Sequence, residues 1–186
     1  MNIPNTLTLL RIILIPVFVV VYYLPFSWAN IAACSIFSFA AITDLLDGYL
    51  ARRLGQISKL GEFLDPVADK LMIAVVLVLL VEHDPRPWMA LPAAVIIGRE
   101  ITVSALREWM AQLGARSKVA VSIYGKIKTI AQMIALILLV YSDSIWGIPV
   151  YAIGVFCLYI AAILTLWSMV QYISSAWPKL KESNTK

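Results

Sequence analysis

Histidine and cysteine are almost missing from this chain, with one His83 and two cysteines, Cys34 and Cys157, among 186 residues. Neither a disulfide framework nor a cysteine metal cluster can be built from so few. Both cysteines lie deep in apolar runs, where a free thiol packs as a small hydrophobe. His83 falls in a short polar segment, and topology puts it on the side opposite the acidic residues discussed below, so it has no chemical role. Charge is scarce too, at 14% of residues against about 25% in a soluble domain. The net charge of +4 comes with no soluble basic domain, which excludes nucleic acid as a partner. Internal repeats, inverted repeats and low-complexity stretches are also absent, which counts against a transporter assembled from mirrored halves.

What fills the chain instead is apolar: 61% of residues are hydrophobic. A membrane-spanning helix needs about 20 mostly apolar residues. Six runs qualify, at roughly 7–25, 29–51, 64–82, 88–111, 124–142 and 148–172. Their connectors are short, so the expectation is an all-α integral membrane protein of six transmembrane helices forming a single domain over residues 1–186. The first run lacks a basic leader and a small-residue cleavage site, and it carries Arg11, so it reads as a retained span. Trp28, Trp88, Trp146 and Trp177, with Tyr22 and Tyr23, fall at run ends and suit interfacial belts. All Lys and Arg except Arg86 gather at the N-terminus, 52–61, 107–128 and the C-terminal tail, or on helices entering these segments. The excess of positive charge on one side puts both termini in the cytoplasm.

The segment 44–69 carries the chemistry. Asp44 and Asp47 are spaced i,i+3 and Asp65 and Asp69 i,i+4, so each pair projects from one face of its helix. The connector between the second and third runs is short and cytoplasmic, which makes them an antiparallel hairpin with four acids at its cytoplasmic end. A carboxylate within a span costs about 2.5–3.5 kcal/mol even on lenient scales, and four would repel one another, so positive charge must hold them. Oxygen donors without His or Cys select hard cations such as Mg²⁺ or Mn²⁺. Four carboxylates can bridge two such ions, an arrangement suited to in-line displacement at phosphorus. Gly48 and Gly61 remove side chains where a nucleotide or pyrophosphate must approach the backbone, and Arg52 can clamp a phosphate bidentately. A lone Asp pair at a helix end is usually a solvated cap; four acids, two glycines and an arginine at these spacings are not.

The pattern D-x2-D-G-x2-A-R-x8-G-x3-D-x3-D resembles the signature of the CDP-alcohol phosphotransferase family, and residues 44–69 match it at every fixed position. The resemblance implies six transmembrane helices, a cytoplasm-facing polar cavity, two Mg²⁺ or Mn²⁺ ions and a homodimer. It makes Asp44, Asp47 and Asp65 metal ligands, and Asp69 the general base with possible metal contact. Gly48, Ala51, Arg52 and Gly61 then line a CDP pocket bordered by Asn5 and Thr8, although Asn5, Thr8 and Arg11 can equally cap and anchor the first span. The segments N5-T-L-T-L-L-R11, G98-R-E100, L106-R107 and G125-K-I-K-T-x2-Q132 are similar to bacterial members that join CDP-diacylglycerol to glycerol 3-phosphate in the cytoplasmic membrane.

Arg99, Lys126 and Lys128 lie in or at the ends of apolar helices, where an unpaired cation is costly and points to function. An acceptor that already carries phosphate needs such charge, whereas inositol or serine needs less. With Arg107 they form the candidate acceptor-phosphate set. The rival for Arg99 is a structural pair with Glu100 or Glu108, and for Arg107, Arg116 and Lys118 simple membrane topology. Other readings are the same chemistry on inositol phosphate or serine, or a cation-coupled transporter. The transporter needs polar access from both faces, yet the polar groups cluster at one end. With no strong nucleophile paired to a base, direct displacement is favoured over a covalent intermediate.

Overall fold

The computed structural model describes residues 3–54, 59–112 and 123–183, with side chains omitted at 3–4, 45–54, 59–60, 62, 123–127 and 178–183. Six α-helices occupy these residues: α1 (Ile3–Tyr22), α2 (Ala29–Leu54), α3 (Lys59–His83), α4 (Pro87–Gln112), α5 (Ile123–Tyr141) and α6 (Val150–Ser183). Stretches of α1, α4 and α6, namely Asn5–Tyr22, Pro87–Gln112 and Val150–Trp177, are long and apolar enough to cross a membrane. Among the described residues, α2 and α5 contribute the apolar stretches Ala29–Asp44 and Lys128–Tyr141.

The distribution of polarity is inverted relative to a water-soluble fold. Arg11, Thr8, Arg99, Lys128 and Gln132 are buried, whereas Ile13, Phe63, Leu91, Phe156, Ile163 and Trp167 are exposed. Only an apolar surrounding makes that arrangement favourable, since buried polar groups satisfy one another inside while hydrocarbon covers the outside.

The chain divides into two compact units, each described by itself. The first comprises Met1–His83 with Leu136–Gly154. In it α1 packs on both α2 and α3. Small residues Ala29, Ala33 and Ala40 form the buried stripe of α2 around Phe37, and small side chains let helix backbones approach where lipid supplies no hydrophobic drive. The Phe37 ring lies 6.4 Å from that of Phe18. On the same principle Gly154 meets α5. A Cβ there would stand 2.9 Å from Leu139 Cγ and 3.1 Å from the Leu139 backbone nitrogen. Gly154→Ala is therefore expected to cost about 1–3 kcal/mol through overpacking and to lower the melting temperature in detergent; an unchanged melt would show that α5 and α6 have slack here.

Between these helices the chain reverses tightly. Ile145 and Ile148 exchange backbone hydrogen bonds, leaving Trp146 (φ 49°) and Gly147 (φ 80°) as the two turn residues. Positive φ at both suits a two-residue hairpin turn and turns Trp146 outward, 97% exposed.

The second unit comprises Asp84–Ala135 with Val155–Lys186. It opens with the exception to the charge rule. Arg86 donates to the buried Asp84 carboxylate through Nε and, at 2.7 Å, through Nη2, while its guanidinium lies 4.0 Å over the Trp88 ring. Trp88 Nε1 also donates to Asp84. A cation neutralised in this way adds little to topological charge, so Arg86 does not disturb the reading of sidedness. Farther along, Val103 and Met110 of α4 pack with Tyr172 and Ala176 of α6, flanked by Leu106 and Met169.

Candidate active site

The acidic site is assembled by α1. The helix begins at Ile3, so Asn5 and Thr8 lie inside it and do not cap it. Asn5, Thr8 and Arg11 recur at i, i+3 and i+6 along one face, and all three are buried. Thr8 Oγ1 donates to Asp65 Oδ1 of α3 at 2.5 Å, and Arg11 Nη1 forms a buried-side ion pair with Asp44 Oδ1 of α2. Two side chains one turn apart on α1 thus hold acids from two different helices, which brings the two halves of the motif to a common face. The guanidinium also supplies positive charge that the acidic cluster requires.

Local structure supports this placement. Thr43, just before Asp44, turns its hydroxyl back onto the carbonyls of Phe39 and Ala40, satisfying itself within α2. Pro66 follows Asp65 inside α3 and removes one helical N–H there. Asp65 and Asp69 are half-buried on either side of the fully buried Ala68, and Gly61 is buried one turn earlier. The pair therefore borders the packed stripe of α3 while keeping access to the outside.

Asp44, Asp65 and Asp69 supply only oxygen donors, with no histidine or cysteine among the neighbouring motif residues, a set suited to Mg²⁺ or Mn²⁺. Among the described residues no three acidic, histidine or cysteine side chains gather closely enough to hold an ion by themselves. Asp47, the remaining acid of the motif, has its side chain outside the described residues, as do Gly48, Ala51, Arg52 and Lys126.

The second unit holds the remaining basic residues. Arg99 is buried and donates to Glu100 Oε1 at 2.8 Å and to Ser168 Oγ at 2.9 Å. Lys128, equally buried, donates to the same Glu100 oxygen at 2.5 Å. Arg107 is exposed and donates to the Tyr172 hydroxyl at 2.8 Å. Its guanidinium stands 5.0 Å from the Tyr172 ring centroid, and that of Arg99 stands 5.8 Å away. Arg99 and Lys128 thus share one carboxylate, while Arg107 joins Arg99 at the Tyr172 ring, so two cations share a single acid and a third lies beside them.

The structural pair weighed against Arg99 is present with Glu100 and is shared by Lys128. The sequence named Glu100 only as a structural partner of Arg99, and did not single out Ser168 and Tyr172. The signal for the last two was their spacing, i and i+4 in the apolar run of α6, which marks a polar stripe on a helix otherwise made for lipid.

A sequence model described as CDP-alcohol phosphatidyltransferase matches residues 1–167. A protein of Salmonella paratyphi A named CDP-diacylglycerol--glycerol-3-phosphate 3-phosphatidyltransferase is 57% identical over 175 residues, covering 94% of each chain. Proteins of the same name from Shigella flexneri serotype 5b and Pseudomonas fluorescens are 56% and 55% identical, over 94% and 100% of this chain and 94% and 95% of their own. A match that begins at residue 1, takes in the acidic motif and the basic helices and runs to residue 167 places this chain in the CDP-alcohol phosphatidyltransferase family.

Proposed function

We propose that this protein transfers the phosphatidyl group of CDP-diacylglycerol to sn-glycerol 3-phosphate, giving phosphatidylglycerol phosphate and CMP. The observation that carries the reading is a complete acidic motif in a chain that shares 57% of its residues, over 94% of its length, with a relative named for this reaction.

Asp44, Asp47, Asp65 and Asp69 are the residues that would hold two divalent cations. The chemistry such ions supply when bound is neutralisation of the diphosphate and of the departing CMP. Thr8 keeps Asp65 in place, and Arg11 does the same for Asp44. Thr8 with Asn5 borders the nucleotide pocket, whose lining is completed by Gly48, Ala51, Arg52 and Gly61. Asp69 takes the proton of the acceptor hydroxyl as that oxygen bonds to the lipid-linked phosphorus, and the bond from phosphorus to CMP breaks on the opposite side. Arg99, Arg107, Lys126 and Lys128 bind the phosphate that the acceptor already carries. The surplus of cations over the single Glu100 carboxylate supports that assignment, because a neutral alcohol has no use for it.

The same reading makes the chain one catalytic domain with six transmembrane helices, a polar cavity open to the cytoplasm and both termini on that side. It works as a homodimer in the bacterial cytoplasmic membrane. The lopsided distribution of Lys and Arg supports the orientation.

CMP release by the purified protein in detergent tests the reaction, with Mg²⁺ or Mn²⁺ and glycerol 3-phosphate, inositol phosphate, inositol or serine as acceptor. Release should require glycerol 3-phosphate and cease with chelator. Release with another acceptor alone would overturn the substrate assignment, and metal-independent release would overturn the catalytic one.

A further inference from the structure

Tyr172 is a buried tyrosine on the polar stripe of α6, one turn beyond Ser168. Its ring is fixed by Val103, Met110 and Ala176, and its hydroxyl accepts a hydrogen bond from Arg107 Nη2 at 2.8 Å. A phenol oxygen that accepts in this way still has its own proton to donate. Among the described residues that O–H donates to no protein group, although buried tyrosine hydroxyls usually find a partner.

The exposed Arg107 guanidinium beside it is the group an anion from outside would meet. Arg99 and Lys128 are nearly enclosed and already share Glu100. Arginine offers five donors in a rigid fork, and one is spent on Tyr172, which fixes the direction in which the others point. An anion seated on Arg107 would find the unused Tyr172 O–H adjacent to it. Two donors of different kinds, one charged and one neutral, would then converge on one anion, and both are held by the rigid ring.

Resting on the acceptor assignment above, we propose that Tyr172 is an acceptor-binding residue: its hydroxyl orients Arg107 and donates to the phosphate of glycerol 3-phosphate. This makes the tyrosine a specificity element that favours phosphorylated alcohols, since a neutral acceptor would leave both donors unmet.

Tyr172→Phe keeps the ring, its packing and its contacts with both arginines, and deletes only the hydroxyl. A hydrogen bond to a charged group is the stronger kind, so its loss should weaken phosphate binding about tenfold. Inorganic phosphate is titrated into detergent-purified wild type and Tyr172→Phe by calorimetry in the presence of chelator, and KM is measured for each substrate with metal restored. The expected result is a roughly tenfold weaker phosphate affinity and an equal rise in KM for glycerol 3-phosphate, with kcat, KM for CDP-diacylglycerol and melting temperature unchanged. Equal phosphate affinity in the two proteins would overturn the assignment, as would a parallel rise in both KM values, which marks a merely structural role. A wild type that binds phosphate but releases no CMP with glycerol 3-phosphate would overturn the acceptor reading, and the phosphate comparison would still decide Tyr172.

Discussion

Asp65→Asn is expected to lower CMP release at least about a thousandfold while leaving the fold intact. The variant isolates charge from shape. Asparagine retains an acceptor oxygen for the Thr8 hydroxyl that reaches Asp65 at 2.5 Å, so α1 and α3 keep their connection and the melting temperature should hardly move. On the proposed reading, what disappears is a negative charge that would hold a divalent cation, and with it the electrostatic stabilisation that dominates phosphoryl transfer. Mn²⁺ affinity, read by electron paramagnetic resonance, should fall together with activity. Thr8→Val offers the complementary cut, since it leaves the carboxylate and removes its donor; a loss of about tenfold is expected from the misplaced ligand. Near-normal turnover in Asp65→Asn with normal Mn²⁺ binding would mean that Asp65 is a structural partner of Thr8 and nothing more.

The acids of the proposed site were legible in the sequence because charge inside a membrane span is expensive. Asp44, Asp47, Asp65 and Asp69 stood out against apolar runs, and the i,i+3 and i,i+4 spacings of the two pairs gave the face on which each pair projects. Periodicity identifies a face but not the neighbour that covers it. That Thr8 pairs with Asp65 and Arg11 with Asp44 depends on where α1 lies, and nothing in residues 5–11 distinguishes a partner from a cap. The sharing of Glu100 by Arg99 and Lys128 was obscured differently. Adjacent helical residues do not face one another, so Arg99 and Glu100 meet only because a long guanidinium bends toward a carboxylate already drawn by Lys128 from α5.

Helix limits show the same division between what hydropathy records and what it does not. The apolar run at 148–172 belongs to a helix that continues to Ser183, and the run at 64–82 to one that begins at Lys59. Hydropathy marks the part of a helix that touches hydrocarbon, whereas backbone hydrogen bonding continues into polar segments that carry lysines or the acidic motif. The end of α1 at Tyr22 instead falls short of the first run's limit at 25, because Pro25 disfavours helical geometry in the residue before it.

Asp69→Asn should separate chemistry from binding. Asp69 lies one turn beyond Asp65 on α3 and is half-buried at the border of that helix's packed stripe. If Asp69 serves as the base, its amide replacement cannot accept the proton, and turnover should drop by about 10²–10⁴, the usual contribution of a positioned general base. CDP-diacylglycerol should still bind, because Asp44, Asp47 and Asp65 keep their charges. The residual rate should climb with pH over a range in which the wild type is flat, as hydroxide takes over removal of the proton. Loss of CDP-diacylglycerol binding in parallel with the rate would instead make Asp69 a metal ligand first, and the proton would have to leave by another route. The alternatives differ in one further respect. Added Mn²⁺ should restore a variant that has lost only metal affinity, whereas no concentration of metal supplies a missing base.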